Sequence, residues 1–174
     1  KEKGFLYLDT HAGRGGYDLT EAAQGDSLAR QPEYPDGIGR LWTRTDLPMA
    51  LEGYMALVNR FDREGGNEEA APRYYPGSPW FVRLLARPQE RLVLCEMQPD
   101  EFELLDIELD REPRASVQER DGYGALRAML PPPEKRALVL IDPPFEQADE
   151  FARIVEAVGE SLGRFPSGVF ALWY

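Results

Sequence analysis

The residues best suited to chemistry sit in one short run, Asp142-Pro-Pro-Phe145, which ends the apolar segment Val139-Leu-Ile141. The two prolines explain how a strand stops, because proline lacks the N–H that continues a ladder and a consecutive pair enforces an extended exit. They explain neither the acid nor the ring. The exocyclic amine of a base such as adenine is a poor nucleophile, since its lone pair is delocalised into the ring. A site that methylates it must meet both N–H hydrogens with acceptors and hold the base against the donor. Asp142 offers one acceptor, and the Pro143 carbonyl, held rigid by the next proline, offers the second. Phe145 offers a face on which a base can stack.

Such a clamp needs a scaffold, and the chain supplies alternating patterns. Gly4-Phe-Leu-Tyr-Leu-Asp9 reads as a short buried strand feeding a small-residue loop, Thr10-His-Ala-Gly-Arg-Gly-Gly16. From Tyr17 to about Gly37 the chain is polar and broken by Pro and Gly. Two helical patterns follow, one on Ile38, Leu41 and Trp42 and one on Leu51, Tyr54, Met55, Val58 and Phe61. The charged, aperiodic run Arg63–Pro72 reads as a mobile surface loop. Ser78-Pro79 reads as an N-cap with proline at the first helical position. Beyond it the chain reads strand Arg91–Glu96, helix Asp100–Leu109, strand Ala115–Glu119, helix Tyr123–Met129, strand Ala137–Asp142, helix Glu146–Gly163 and strand Val169–Trp173. Strands alternating with helices predict an α/β domain with a mostly parallel sheet. Residues 1–174 are expected to form one domain, with 17–74 as a helical insertion between its first two strands.

In such a sheet, ligands bind beyond the carboxyl ends of the strands, where the strand order reverses. The predicted strand ends deliver Asp9-Thr-His11, Glu96, Asp121-Gly122 and Asp142. Each has a plain structural reading: Gly13-Arg-Gly15 as a tight turn, Glu96 as a solvated acid, Asp121-Gly122 as a turn. Glu96 is the most informative, because a carboxylate at that position can accept both hydroxyls of a ribose. Acids at successive strand ends with few bases beside them suit an adenosine-bearing ligand without a phosphate chain. S-Adenosylmethionine, whose sulfonium and amino groups are positive, is such a ligand. His11 reads as a cofactor contact in preference to a general base. Ser78 reads as a helix cap that can also help hold a ligand carboxylate at the helix N-terminus. Cys95, mid-strand, reads as a small buried hydrophobe.

Composition narrows the classes. A single Cys95 excludes an internal disulfide and a Cys-rich zinc site, and the lone His11 excludes a histidine metal cluster within this chain, so no metal is expected. No apolar run is long enough to span a bilayer, and a cytoplasmic setting without membrane association is expected. The net charge of −11 argues against nucleic-acid binding by bulk electrostatics, so such a partner must be held locally. Residues 17–74, with six Arg against eleven Asp and Glu, form no obvious basic platform. The sequence has no initiator Met, signal peptide or basic leader and reads as an excised fragment.

The run Asp-Pro-Pro-Phe is similar to the signature of S-adenosylmethionine-dependent amino-methyltransferases. Together with "FLYLDTHAGRGGYDL", "YYPGSPWFVRLL", "LCEMQPDEFELL", "DGYGALRAMLPP" and "LVLIDPPFE", in that order along nearly the whole chain, it resembles the bacterial 23S ribosomal RNA adenine-N6 methyltransferases of the J type. The resemblance implies a Rossmann-like class I methyltransferase fold and direct in-line methyl transfer to an adenine of 23S ribosomal RNA. It also implies His11, Ser78, Glu96, Asp121, Gly122 and Asp142 in cofactor binding, with Asp142, Pro143 and Phe145 at the reacting amine. Phe145 stands where tyrosine is common in the family. The family extends further at both ends, including two more C-terminal strands, so the apolar edge Phe170–Tyr174 is expected to be prone to pairing. This fragment is expected to be less stable and less active than the full-length enzyme, itself expected to be a monomer. Other readings stay open at this point: a DNA or other amino-methyltransferase, a catalytically silent cofactor-binding module, or a nicotinamide oxidoreductase, which the incomplete glycine fingerprint disfavours.

Overall fold

The structure, a computed structural model, describes residues 3–20 and 34–174. In chain order the elements are β1 (Leu6–Asp9), β2 (Gly16–Asp18), a 3-10 turn (Ile38–Arg40), α1 (Met49–Glu64), β3 (Tyr74–Pro76), α2 (Ser78–Leu85), β4 (Arg91–Glu96), α3 (Pro99–Leu109), β5 (Ala115–Glu119), α4 (Gly122–Met129), β6 (Ala137–Ile141), α5 (Glu150–Arg164) and β7 (Val169–Leu172). They divide into two compact units, one of residues 1–15 and 78–174, the other of residues 16–77.

The first unit is built on a five-stranded sheet of order β5-β4-β1-β6-β7, with every pairing parallel. This is the Rossmann-like class I methyltransferase architecture: a parallel sheet flanked by helices. Because side chains alternate across a strand, β1 serves two cores. Leu6 and Leu8 point into one with Val139, Ile141, Tyr123, Leu126, Ile154 and Ala157, which α4 and α5 cover. Tyr7 points into the other with Leu92, Leu94, Leu105 and Leu109, which α3 covers. Strands buried on both faces read as near-continuous apolar runs, which is why "LVLC" and "ALVLI" carry almost no polar residue. Strand β7 lies at the edge of this sheet, with Val169, Leu172, Trp173 and Tyr174 exposed.

In the second unit, α1 buries Met55 and Val58, and β2 pairs antiparallel with β3, Gly16 opposite Pro76. Tyr54 and Tyr75 join hydroxyls at 2.6 Å. Two expectations are corrected. The pattern on Ile38, Leu41 and Trp42 forms only the three-residue 3-10 turn, since its apolar spacing stops before Pro48, which precedes α1. The run after Glu64 is tied down: Asn67, 7% exposed, donates from Nδ2 to Asp62 and to the Ala71 carbonyl, both at 2.8 Å, and accepts from the Glu69 amide. The polar stretch expected before Gly37 lies largely outside the described residues.

In the first unit, the last long helix begins at Glu150, four residues later than expected, because Phe145 takes a left-handed backbone (φ 54°) that turns the chain first.

Candidate functional site

The switch in strand order falls beside β1, which has β4 on one side and β6 on the other. The loop leaving β1 is fastened to both neighbours. Thr10 donates from its amide and its hydroxyl to the Leu140 carbonyl, each at 3.1 Å. On the other side the Ala12 amide donates to the Cys95 carbonyl at 2.9 Å, and the Gly13 amide to Glu96 Oε2 at 2.9 Å. Gly13 and Gly15 have φ of 62° and 87°, so glycine is what lets this loop turn back over the strand ends. Arg14 clamps it to α3 through a two-point contact with Glu101.

Four of the predicted residues surround this loop. Glu96, 9% exposed, accepts the Met97 and Gln98 amides on Oε1, both at 2.8 Å, besides Gly13 on Oε2. Its geometry is thus fixed by backbone, and Oε2 keeps room for a further donor. His11 sits edge-on to the Tyr123 ring, centroids 5.2 Å apart, and its Nδ1 lies 2.8 Å from the Thr10 hydroxyl. The Thr10 hydroxyl also lies 3.1 Å from the Leu140 carbonyl; when its proton points there, Nδ1 is the donor to Thr10 and Nε2 an acceptor. Burial also lowers the His11 pKa and favours the neutral ring.

Asp121 caps α4, accepting the Gly124 amide at 2.9 Å and the Tyr123 amide at 3.4 Å. Gly122 is where α4 meets the β1 loop: a Cβ there would fall 2.1 Å from the Thr10 carbonyl oxygen. Arg153 of α5 reaches Asp121 at 3.5 Å, Glu150 at 3.7 Å and the face of Tyr123 at 4.7 Å. The Tyr123 hydroxyl donates to the buried Glu150 at 2.6 Å.

Beyond β6, Asp142 is exposed and its carboxylate has no hydrogen-bond partner among the described residues. Partial desolvation raises its pKa. Pro143 is buried, which fixes the exit. Phe145 is half-buried against the core, with the Phe151 ring 5.0 Å away at a 37° tilt. Cys95 is fully buried, and burial pushes its thiol up to about 12, in keeping with an inert core residue.

Ser78 is the first residue of α2, and its hydroxyl donates to Asp9 Oδ2 at 2.6 Å. Asp9 was legible only as one acid among several, yet it is fully buried and also accepts the Tyr7 hydroxyl at 3.1 Å and the His11 amide at 3.3 Å. Burial pushes its carboxyl up to about 6, against the pull of these donors and with a further push from the Asp142 charge. The polar Asp-Thr-His ending of an otherwise apolar strand was the signal for it. Tyr123, Glu150 and Arg153 carried no such signal, since they read as ordinary helix residues.

The chain matches over residues 2–174 the family model described as "Ribosomal RNA large subunit methyltransferase D, RlmJ". It is 45% identical over 174 residues to Ribosomal RNA large subunit methyltransferase J of Escherichia coli (strain K12), covering 100% of this chain and 59% of that protein. The protein of the same name from Haemophilus influenzae is 40% identical with the same coverage. The crystal structure of protein LPL1258 from Legionella pneumophila superposes with a TM-score of 0.85 at 36% identity, covering 100% of this chain and 61% of that one. The chain therefore spans about three-fifths of the length of the relatives it matches. A match along nearly the whole chain, on a parallel sheet flanked by helices, makes this protein a member of the "Ribosomal RNA large subunit methyltransferase D, RlmJ" family.

Proposed function

We propose that the protein methylates the exocyclic N6 of an adenine in 23S ribosomal RNA, with S-adenosylmethionine as methyl donor. The observation that carries this reading is Asp142: a carboxylate without a hydrogen-bond partner among the described residues, following β6 beside the strand-order switch and leading into a rigid Pro-Pro exit. The names of the relatives, which specify ribosomal RNA large subunit methyltransferases, support the polymer and the reaction class.

The donor set fits the cofactor. The open position on Glu96 Oε2 and the Asp142 carboxylate meet a ligand only as acceptors while ionised. A ligand rich in N–H and O–H donors and in positive charge is what such a lining selects. In this reading Glu96 holds the ribose hydroxyls, Asp121 and Gly122 flank the adenine of the cofactor, and His11 and Ser78 contact the same molecule. When bound, S-adenosylmethionine supplies a methyl group activated by its sulfonium.

The chain's own residues prepare the amine. Asp142 and the Pro143 carbonyl each accept one N–H, which draws the nitrogen lone pair out of conjugation with the base and fixes its direction. Phe145 lends its ring to the target base, which has to leave its stack to enter the site. Asp142 is the carboxylate able to take the proton that the nitrogen sheds.

Transfer of labelled methyl from S-adenosylmethionine to unmodified ribosomal RNA, followed by nucleoside analysis, tests the proposal. Labelled N6-methyladenosine is expected. Methyl on cytosine or guanine, or labelling of DNA in preference to RNA, overturns it.

A further inference from the structure

Arg153 stands in the first turn of α5 and reaches two ways. On one side Nη1 donates at 3.1 Å to Gln147 Oε1, in the loop that leads from the Asp142-Pro-Pro-Phe145 run into the helix. On the other, Nη2 lies 3.5 Å from Asp121 Oδ1, and the guanidinium carbon lies 4.7 Å from the centre of the Tyr123 ring. Tyr123 in turn meets His11 edge-on and donates to Glu150, the residue that opens α5. One planar cation thus touches both the loop after β6 and the residues gathered round the end of β1.

Stability is a poor account of this arrangement. Arg153 and Asp121 are 32% and 43% exposed, their contact is long, and ion pairs of that kind add little to folding. The two helices are also joined at another point, where Arg127 of α4 meets Glu156 and Glu160 of α5. Geometry is the better account. A guanidinium is a rigid fork of donors, so partners at its two ends are held at a fixed separation.

Resting on the reading of Asp142 as the amine clamp and of His11 and Asp121 as cofactor contacts, we propose that Arg153 is a positioning residue for methyl transfer, setting the distance between the loop that carries the clamp and the residues that hold the donor. It acts through Gln147 and Asp121 and needs no contact with either ligand. Direct transfer is sensitive to that distance, since a misplacement of about 1 Å can cost a hundredfold in rate.

Single-turnover methyl transfer at saturating S-adenosylmethionine and ribosomal RNA, with calorimetric titration of the cofactor alongside, tests the proposal. Arg153→Ala is expected to slow transfer by about tenfold or more and to change cofactor affinity by less than about fivefold. Arg153→Lys keeps the charge but cannot bridge both partners at once, so it should recover little of the rate. Gln147→Ala cuts the loop end of the same fork and should slow transfer as well, and the double variant should lose less than the product of the two single losses. Arg127→Ala, which removes the other tie between α4 and α5, should leave the rate unchanged. If Arg153→Ala does not fold, Gln147→Ala, at an exposed position, decides.

An unchanged rate in Arg153→Ala, full rescue by Arg153→Lys, an equal loss in Arg127→Ala, or a loss that lies wholly in cofactor affinity overturns the inference and leaves the proposed function standing. An unaltered protein that transfers no methyl group removes both proposals.

Discussion

The Tyr123 hydroxyl donates a 2.6 Å hydrogen bond to Glu150, a carboxylate only 4% exposed, and so ties the first turn of α4 to the first residue of α5. Tyr123 also offers its ring edge-on to His11 and its face to Arg153. Tyr123→Phe keeps both ring contacts and removes only the donor. The expected cost is about 1–3 kcal/mol, the range for stranding a buried hydrogen-bonding group. Urea unfolding of the two proteins measures it, and a change in the midpoint without a change in slope is the expected pattern.

Gly122 and Gly159 should respond oppositely to alanine. A Cβ at Gly122 would collide with Thr10 backbone at 2.1 Å, and backbone cannot rotate aside. Gly122→Ala is expected to destabilise by about 1–3 kcal/mol or more, as overpacking does. Gly159 lies inside α5 with nothing within 4 Å of its added Cβ, so Gly159→Ala should stabilise by about 0.5–1 kcal/mol. Thermal melts of both variants check the pair, and a matching sign would refute the packing argument.

The site's residue types were legible and its wiring was not. Strands Arg91–Glu96 and Ala115–Glu119 read to the residue, because apolar runs bounded by turn signals leave little freedom in where a buried strand lies. The antiparallel pair β2–β3 escaped because its strands are three residues long and far apart in sequence, with no two-residue turn to announce them. Asp9 looked like Glu96 and Asp142 in the sequence. Its different role comes from Ser78 and Tyr7 converging on one oxygen, a property of three dimensions.

Phe145 separates backbone strain from side-chain packing. Its φ of 54° is costly for any L residue, by roughly 1–2 kcal/mol, and free for glycine. Both Phe145→Ala and Phe145→Gly lose the contact with Phe151. Phe145→Gly should nonetheless be the more stable of the two by about 1 kcal/mol, the reverse of the usual order. Chemical denaturation of the two variants side by side decides this.

Asp9 gives a pH dependence with a definite sign. Its folded carboxyl sits at about 6, against about 4 when unfolded. The folded state therefore holds the proton more tightly, and stability from this group is present at acid pH and lost as pH rises from about 4 through about 6. Burial is what raises this value, with the Ser78 and Tyr7 hydroxyls and the His11 amide pulling it down and the charge of Asp142 adding to the push upward. Comparing unfolding free energies of the parent and Asp9→Asn across pH 4–7 isolates the effect from His11, whose lowered pKa acts oppositely in acid. Asn cannot ionise, so the variant should gain about 3 kcal/mol on the parent over that range.

In the proposed clamp, Asp142→Ala leaves the Pro143 carbonyl as the remaining acceptor. At saturating cofactor its methyl-transfer rate is expected to fall by at least about a hundredfold, the usual cost of one preorganised polar group. Single-turnover assays with labelled methyl donor provide the number, and an unchanged rate would remove Asp142 from the reaction.

The central position of β1 also has a consequence for how the protein comes into being. Leu6 leaves the ribosome long before its partners, which are Arg91 on one side and Ala137 on the other. The strand that organises the sheet therefore waits with both hydrogen-bonding edges open until Arg91–Leu94 has been made, and with one edge open until Ala137–Leu140 follows. Pairings at such separation are slow to close, and an open apolar strand is open to partners from other chains as well. The interval between making β1 and making β6 is thus the vulnerable period in this protein's synthesis, and slowing translation between them should lower soluble yield.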